Sequence, residues 1–253
     1  MTTTFLLVLA VIELPHLGMV SPLMLIDVAA IGTVVANRAS AEPFIDPVQV
    51  VNVRFALSNL CGPAASRGQG LLLLSLSLLL QGHLGASATA SGLVLVPVAA
   101  GTVVFSAISG RLVARIGVVP PLGAGGIAVT VAGALLLVDD VTTTPPATGC
   151  PAITLAGLVF GAGFGLANAP ITATAVVGMG RQTGTAGGVV ATSRQLGVSL
   201  GVAVAAAVSA PTAGIVTPSW ITLIGCGAVI TISALALAGR RAAGGHPPPI
   251  GSR

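Results

Sequence analysis

Charge is the scarcest property of this sequence. Only 6% of its 253 residues are charged, aromatic residues make up 3%, and lysine and tyrosine are absent. A soluble domain normally carries about 25% charged residues to hydrate its surface. Strongly apolar residues account for 54% of the chain, and its mean hydropathy is +1.04. We therefore exclude a soluble globular protein and expect the chain to lie in a lipid bilayer.

The sequence also lacks the motifs of soluble enzymes and metal sites. It contains no HExxH, no GxxxxGK[ST] and no GxGxxG that opens a helix after a strand. The three histidines fall near the ends of apolar segments or in the tail, and the three cysteines lie far apart. We predict no enzyme, no catalytic residue, no metal and no cofactor. The formal charge is +4. In a membrane protein the positions of the charged residues indicate orientation, so we expect no nucleic-acid partner.

Long apolar stretches dominate the rest of the chain. A membrane helix needs roughly 20 apolar residues, and these stretches are continuous rather than alternating as in a barrel strand. A candidate at 4–20 is interrupted by Glu13, Pro15 and His16, and is left open. The fold prediction is an all-α, polytopic transmembrane helical bundle of seven or eight spans. The seven clearer segments are 22–37, 55–80, 88–110, 118–138, 151–177, 186–209 and 218–239.

The arginines predict the orientation of these segments. Positively charged connections stay on the cytoplasmic side of a membrane, and the arginine-bearing connections here fall on alternate sides of the spans. We expect a multi-pass protein of the cell membrane with a cytoplasmic C-terminus and a disordered tail at 240–253. The eight arginines assigned to the cytoplasmic side are Arg38, Arg54, Arg111, Arg115, Arg181, Arg240, Arg241 and Arg253.

Glycine stripes predict how two of the helices pack. Gly157, Gly161 and Gly165 recur every four residues, and Gly197 and Gly201 do the same further along the chain. Small residues let helix backbones approach closely in lipid, where the hydrophobic effect does not drive association. The stripes fit static packing, and they also fit helices that slide during a transport cycle. Both interpretations stay open.

Few polar side chains fall at membrane depth. Arg194 either extends to the inner interface or, with Gln195, faces an aqueous cavity and a polar or anionic substrate. Asn168 and Gln81 either tie helices together or line the same cavity. Arg67 stands in the middle of segment 55–80, where the helix is broken around a cavity or the sequence has drifted.

Several stretches in order are similar to one protein family. The sequence resembles the C-terminal half of a major facilitator superfamily transporter, of the fourteen-span drug:proton antiporter branch. The resemblance covers about residues 41–210. The matching stretches are AEPFIDPVQVVNVRFAL, LSLLLQGHLGASATASGLVLVPVAAG, SGRLVARIG, GLVFGAGFGLANAPITATA and AGGVVATSRQLGVSLGVAVA.

The family's signature connection is matched in part. Gly110, Leu112, Arg115 and Gly117 fit its pattern, whereas Ala114 replaces the acidic residue. In the family this connection helps latch the cytoplasmic side by charge pairing. The resemblance therefore implies a weak latch in this chain, or a positively charged turn that only fixes topology.

The resemblance implies an organisation and a function. Residues 1–54 would hold one or two accessory helices and a cytoplasmic linker, and 55–239 would form a six-helix bundle of two inverted three-helix repeats. Substrate binds between two such bundles in the family, so a second bundle is expected from an N-terminal half or another copy of the chain. The implied activity is proton-coupled efflux of small amphipathic drugs or antibiotics by a truncated or split half. The alternative is a non-transporting remnant or an assembly subunit.

Overall fold

The part of the chain described by the computed structural model is helical. It comprises residues 53–83, 85–142, 151–176, 183–209 and 217–243, and no strand occurs in these ranges. The predicted segments 4–20 and 22–37 lie outside them. The helices are α1 (Val53–Ser77), which a π-helical turn (Leu78–His83) follows, α2 (Ala88–Ile116), α3 (Val119–Thr142), α4 (Pro151–Val176), α5 (Thr183–Ser209) and α6 (Thr217–Ala243).

Five of these helices are long and apolar enough to cross a membrane, judged by length and composition. They are α2 to α6, and they leave large apolar side chains such as Leu93, Val103, Ile232 and Leu235 on the outside of the bundle. An all-α bundle of apolar, membrane-type helices was the predicted class, and that class is confirmed for the described residues. The total number of spans stays a prediction.

Helix α1 differs from the other five in composition. Polar residues and Arg67 lower its hydropathy, and it is not among the helices that qualify as spans. It packs against α4, α5 and α6, so neighbouring helices cover most of its surface. Of the two interpretations left open for Arg67, the broken helix does not occur. Helix α1 is continuous from Val53 to Ser77 with Pro63 inside it. That α1 crosses the membrane stays a prediction.

Several helices extend beyond the predicted segments, and in α2 and α6 the extension includes arginines. Helix α2 ends at Ile116 rather than near residue 110, so Arg111 and Arg115 lie on its last turns. Gly117 ends it with φ 84°, a conformation that side-chain-bearing residues rarely adopt. Helix α6 continues to Ala243, which places Arg240 and Arg241 in a helix rather than in a disordered tail.

Glycine brings α2 and α4 together at what we term the α2–α4 crossing. A Cβ atom on Gly161 would meet the carbonyl oxygen of Val98, and one on Gly101 would lie 2.8 Å from the carbonyl oxygen of Leu158. A Cβ on Gly165 would lie 2.7 Å from the carbonyl oxygen of Thr102. The backbones are therefore in direct contact, as the predicted stripe requires.

The same arrangement occurs between α1 and α5, at the α1–α5 crossing. A Cβ on Gly201 would meet the carbonyl oxygen of Arg67, and one on Gly70 would lie 2.5 Å from the carbonyl oxygen of Val198. Gly197 lies equally close to Pro63. The second predicted stripe, Gly197 and Gly201, is thus also a helix contact.

A third close contact joins α3 and α6 through two similar sequences, GIAVT and GAVIT. A Cβ on Gly126 would lie 2.5 Å from the hydroxyl oxygen of Thr231, and a Cβ on Gly227 would meet the hydroxyl of Thr130. Each threonine donates a hydrogen bond to its own helix, Thr130 to Gly126 O at 3.0 Å and Thr231 to Gly227 O at 2.9 Å. The two helices therefore present the same small motif to each other.

These contacts are related by an exchange of the first three helices with the last three. In this exchange α1 takes the place of α4, α2 that of α5, and α3 that of α6, and each takes the place of its counterpart in return. The α1–α5 crossing then corresponds to the α2–α4 crossing, and the contact of α3 with α4 corresponds to that of α6 with α1. The contact between α3 and α6 corresponds to itself. Individual residues follow the same exchange, since Gly70 on Val198 corresponds to Gly161 on Val98. The described bundle thus has an internal two-fold arrangement of contacts.

Chain direction is also consistent across the bundle. At the α1–α5 and α2–α4 crossings the contacting residue numbers rise together, so these helices are parallel. In the α3–α6 contact the numbers run in opposite senses, so these helices are antiparallel. Both relations are those of six consecutive helices that reverse direction at each connection.

Candidate functional site

Arg194 is the centre of a polar region between α1, α4 and α5 of the described bundle. It lies eleven residues into α5, roughly 16 Å along the helix axis at 1.5 Å per residue. Its Nη1 donates a hydrogen bond of 2.6 Å to Asn168 Oδ1 on α4, and its Nε donates one of 3.4 Å to Ser66 Oγ on α1. The guanidinium therefore joins three helices.

The surroundings hold this arginine in place. Its guanidinium carbon lies 5.9 Å from the ring centroid of Phe164, which is a cation–π distance. Its Cγ packs on Gly62, where an added Cβ would lie 3.3 Å away. The aliphatic stem and the charged head are thus both positioned by neighbouring helices, and the head has a defined orientation.

A small concavity opens on each side of Arg194. One, of about 290 Å³, is also lined by Ser66, Gln69, Gln195 and Val198. The other, of about 130 Å³, is lined by Thr172 and apolar residues of α4 and α5. Ala191 borders both. We call this region the Arg194 groove, and it combines one formal charge, neutral hydrogen-bonding groups and apolar walls.

Negative charge is scarce around the groove. Among the described residues, the acidic side chains are Asp139 and Asp140, at the end of α3. The carboxylate of Asp140 accepts a hydrogen bond of 2.5 Å from Thr217 at the start of α6. The described partners of Arg194 are all neutral. Its charge is therefore not compensated by a carboxylate within the described part of the bundle.

Arg67 is a second positively charged residue inside the described bundle. It lies near the middle of α1, on the turn that contacts α5, and only 9% of its surface is exposed. Its Nε is buried and has no hydrogen-bond partner among the described residues. It borders neither concavity of the groove. Burying a guanidinium nitrogen without a hydrogen-bond partner is costly.

The predicted cavity residues do not all come together. Arg194 and Asn168 are bonded to each other, and the exposed Gln195 lines the larger concavity. Gln81 is exposed in the π-helical turn after α1, roughly 22 Å along the axis from Ser66 by helical rise. It borders neither concavity.

The residues of the signature connection form the end of a helix. Gly110, Leu112 and Arg115 lie in α2, and Gly117 caps it by donating a 3.0 Å backbone hydrogen bond to Val113 O. Arg115 is exposed. The turn to α3 is short, and Gly117 supplies the positive φ that it requires. At the remaining predicted packing glycine, Gly157, an added Cβ would lie 3.0 Å from Cγ2 of Val98.

Sequence reasoning missed part of the groove. Ser66, Gln69 and Phe164 were not singled out, although Ser66 and Gln69 flank the unusual Arg67 in the sequence. That clustering of polar residues in one span was the available signal. Phe164 carries no such signal, because a phenylalanine in an apolar helix looks like any other.

Within the described ranges, no three histidine, cysteine, aspartate or glutamate side chains lie together as metal ligands. Comparison with known proteins gives no identity: no family model matches the chain, and no curated protein matches it. The geometry of the groove and of the crossings must therefore carry the functional argument.

Proposed function

We propose that this protein is an integral membrane transporter of the major facilitator type, acting as one bundle of a two-bundle assembly. It exports small amphipathic compounds in exchange for protons. The observation that carries this proposal is the exchange of contacts between α1–α3 and α4–α6. Because each helix lies three positions along the chain from its counterpart, and the chain reverses direction at each connection, the two sets would run in opposite directions across a membrane, as the inverted repeats of such transporters do.

The position of the groove supports the same proposal. In transporters built from repeats, substrate sites lie near the bilayer midplane. Arg194 is close to the middle of α5, and its groove opens on exposed side chains of α5, Ala191 and Gln195. A facing bundle would close this open side and complete a cavity between the two.

Proton coupling requires a group from elsewhere. The acidic residues of the described bundle lie at the end of α3, far from the middle of the helices. A transmembrane proton site commonly uses a carboxylate or histidine at membrane depth. We infer that the second bundle, from another chain or another copy of this one, supplies it.

Transport in liposomes tests this proposal. The full chain, reconstituted with and without a co-expressed second bundle, is given an imposed pH gradient and a fluorescent amphipathic dye. We expect dye movement coupled to proton flux, and reduced movement for Ala191→Phe, which fills the groove. Protein-free liposomes are the control. Absence of both dye movement and proton flux in every combination would reject a transporter.

A second candidate function is favoured by Arg67. A buried guanidinium whose Nε has no described partner is costly, and Ala114 stands where the signature connection has an acid. Both features fit a non-transporting remnant or an assembly subunit. Such a protein would fold and associate but leave the dye in place.

A further inference from the structure

We propose that the Arg194 groove selects organic anions, specifically a carboxylate, sulfonate or phosphate carried on a small apolar body. This rests on the proposed function, because it names the substrate class of the same site. Three properties of the groove favour such a ligand. They are the N–H donors of Arg194 that have no described partner, the positive charge around the groove, and the arrangement of polar and apolar walls.

The donors of Arg194 are only partly used. A guanidinium carries five N–H groups in a fixed plane. One bonds Asn168 and one bonds Ser66, so three have no partner among the described residues. These three lie on Nη1 and Nη2, and adjacent N–H groups of this kind bind the two oxygens of a carboxylate or phosphate together.

The electrostatic balance favours an anion. Arg194 and Arg67 are two formal positive charges near the middle of two packed helices, and no acidic residue of the described bundle lies at that depth. Charge interactions are stronger there than in water, because the effective dielectric constant is lower. An anion would therefore be stabilised, whereas a cation of the same shape would be repelled.

The walls define the rest of the ligand. The amide side chains of Gln69 and Gln195 stand beside Arg194 in the larger concavity, which Ala191 and Val198 complete. The smaller concavity adds Ala175 and Val190. A charged head on the guanidinium would thus leave an apolar body against alanine and valine, which is the shape of an amphipathic anion rather than an inorganic ion.

Fixed orientation makes the groove a binding site rather than a flexible surface arginine. Asn168, Ser66 and Phe164 restrain the guanidinium before any ligand arrives. Binding then costs little side-chain entropy, and affinity rises accordingly. The same anionic chemistry is found in soluble organic acids and in the headgroups of anionic lipids, so both sources must be distinguished.

Equilibrium binding to the full chain in phosphatidylcholine nanodiscs tests the inference without any gradient or transport. The probe is radiolabelled 4-phenylbutyrate, and 4-phenylbutylammonium is the competitor of matched size and opposite charge. We expect saturable binding that the ammonium does not displace. Arg194→Gln should weaken it at least about tenfold, the effect of losing one charge-assisted pair. Arg111→Gln, which removes an exposed arginine outside the groove, is the matched control and should bind like the wild type.

Two further arms keep the test decisive. Ala191→Phe blocks both concavities from an exposed position, so it should abolish binding even if Arg194→Gln does not fold. Nanodiscs containing phosphatidylglycerol reveal a lipid occupant as Arg194-dependent competition with the probe. Equal binding by Arg194→Gln, or equal displacement by the ammonium, would overturn the inference. Either result would leave transport of other compounds intact, whereas anion binding without dye movement would count against the transporter alone.

Discussion

At the α2–α4 crossing Gly161 rests on the carbonyl of Val98, and at the α1–α5 crossing Gly70 rests on the carbonyl of Val198. The backbone contacts correspond, but the side chains around them do not. Next to the first, Val103 and Val104 of α2 are exposed and apolar. Next to the second are Arg67, Arg194 and the groove.

The difference separates architecture from chemistry. Small residues on the contact line set how closely two helices approach, and both crossings need them. Side chains beside that line are free to differ, and only the α1–α5 crossing carries charge. We infer that the α2–α4 crossing is structural and that the α1–α5 crossing is both structural and functional. The following predictions test this distinction, from the largest expected effect to the smallest.

The largest effect is expected from closing the glycine contacts themselves. Gly101→Val places a side chain against the carbonyl of Leu158, 2.8 Å from its Cβ, and overpacking against backbone should cost about 3 kcal/mol. Gly201→Val should cost a similar amount at the other crossing. The free energy of unfolding in mixed detergent micelles measures both.

Matched controls lie on the same two helices. Gly92 on α2 and Gly188 on α5 have no atom within 4 Å of an added Cβ. Valine at either position should leave the free energy of unfolding within about 0.5 kcal/mol of the wild type, as is usual for open sites. If these controls were as costly as Gly101→Val, close contact would not be what holds the crossings together.

Replacing Arg67 should raise the free energy of unfolding, whereas the glycine substitutions lower it. Arg67→Met removes a charge whose Nε is buried without a described partner and keeps most of the side-chain volume. Since a lone arginine at membrane depth costs about 2.5–3.5 kcal/mol, we expect the unfolding free energy to rise by about 2 kcal/mol. The free energy of unfolding in mixed micelles measures this effect. The control Arg111→Met, at an exposed position, should leave that free energy unchanged.

A loss of stability in Arg67→Met would show that its charge has a partner in the folded protein. The α1–α5 crossing would then depend on that pairing. It would share only its glycine contacts with the α2–α4 crossing. Unchanged stability with altered dye transport would instead place Arg67 in the transport cycle.

A smaller effect is expected where Arg194 meets α4. Asn168→Ala removes the acceptor of the 2.6 Å bond and leaves one more unsatisfied donor on a half-buried guanidinium. The expected loss is about 1 kcal/mol, because water in the groove replaces part of the bond. Thr172→Val, which removes only a bond to the same helix, is the control. A loss of 3 kcal/mol would mean that the groove is dry.

The smallest effect is expected at the contact between α3 and α6, which corresponds to itself in the exchange of helices. Thr130→Val and Thr231→Val each remove a hydroxyl that bonds its own helix and touches the facing glycine. Each should cost about 0.6 kcal/mol. The two losses should be equal within error, and Thr222→Val on an exposed face is the control. Unequal losses of stability would mean that the two-fold arrangement holds for the backbone contacts but not for these two side chains.

The sequence predicted the fold at the level of helices because that signal is local. Apolar runs of about 20 residues indicated every described helix, and the stripes through Gly161 and Gly201 indicated which faces come together. Helix ends were less predictable: Arg111 and Arg115 were assigned to a connection, and Arg240 and Arg241 to the tail, yet all four lie in helices. Charged residues do not by themselves break a helix, so the arginines did not mark the helix ends.

The candidate site was predicted in part for the same reason. Arg194 and Asn168 stood out as polar residues in apolar segments, and they are bonded. Gln81 stood out equally and lies elsewhere, because polarity says nothing about distance between helices. Phe164 and Ser66 enter the site only through packing of α4 and α1 against α5.

The amino-acid sequence alone determined that this protein is helical and too apolar to be hydrated, because composition and the length of apolar runs are properties of the chain itself. Only the tertiary structure decided that α1 pairs with α5 as α2 pairs with α4, and that one of these crossings holds an arginine between two concavities. The physical reason is that such contacts join residues far apart in the chain, and their positions follow from which backbones can approach closely.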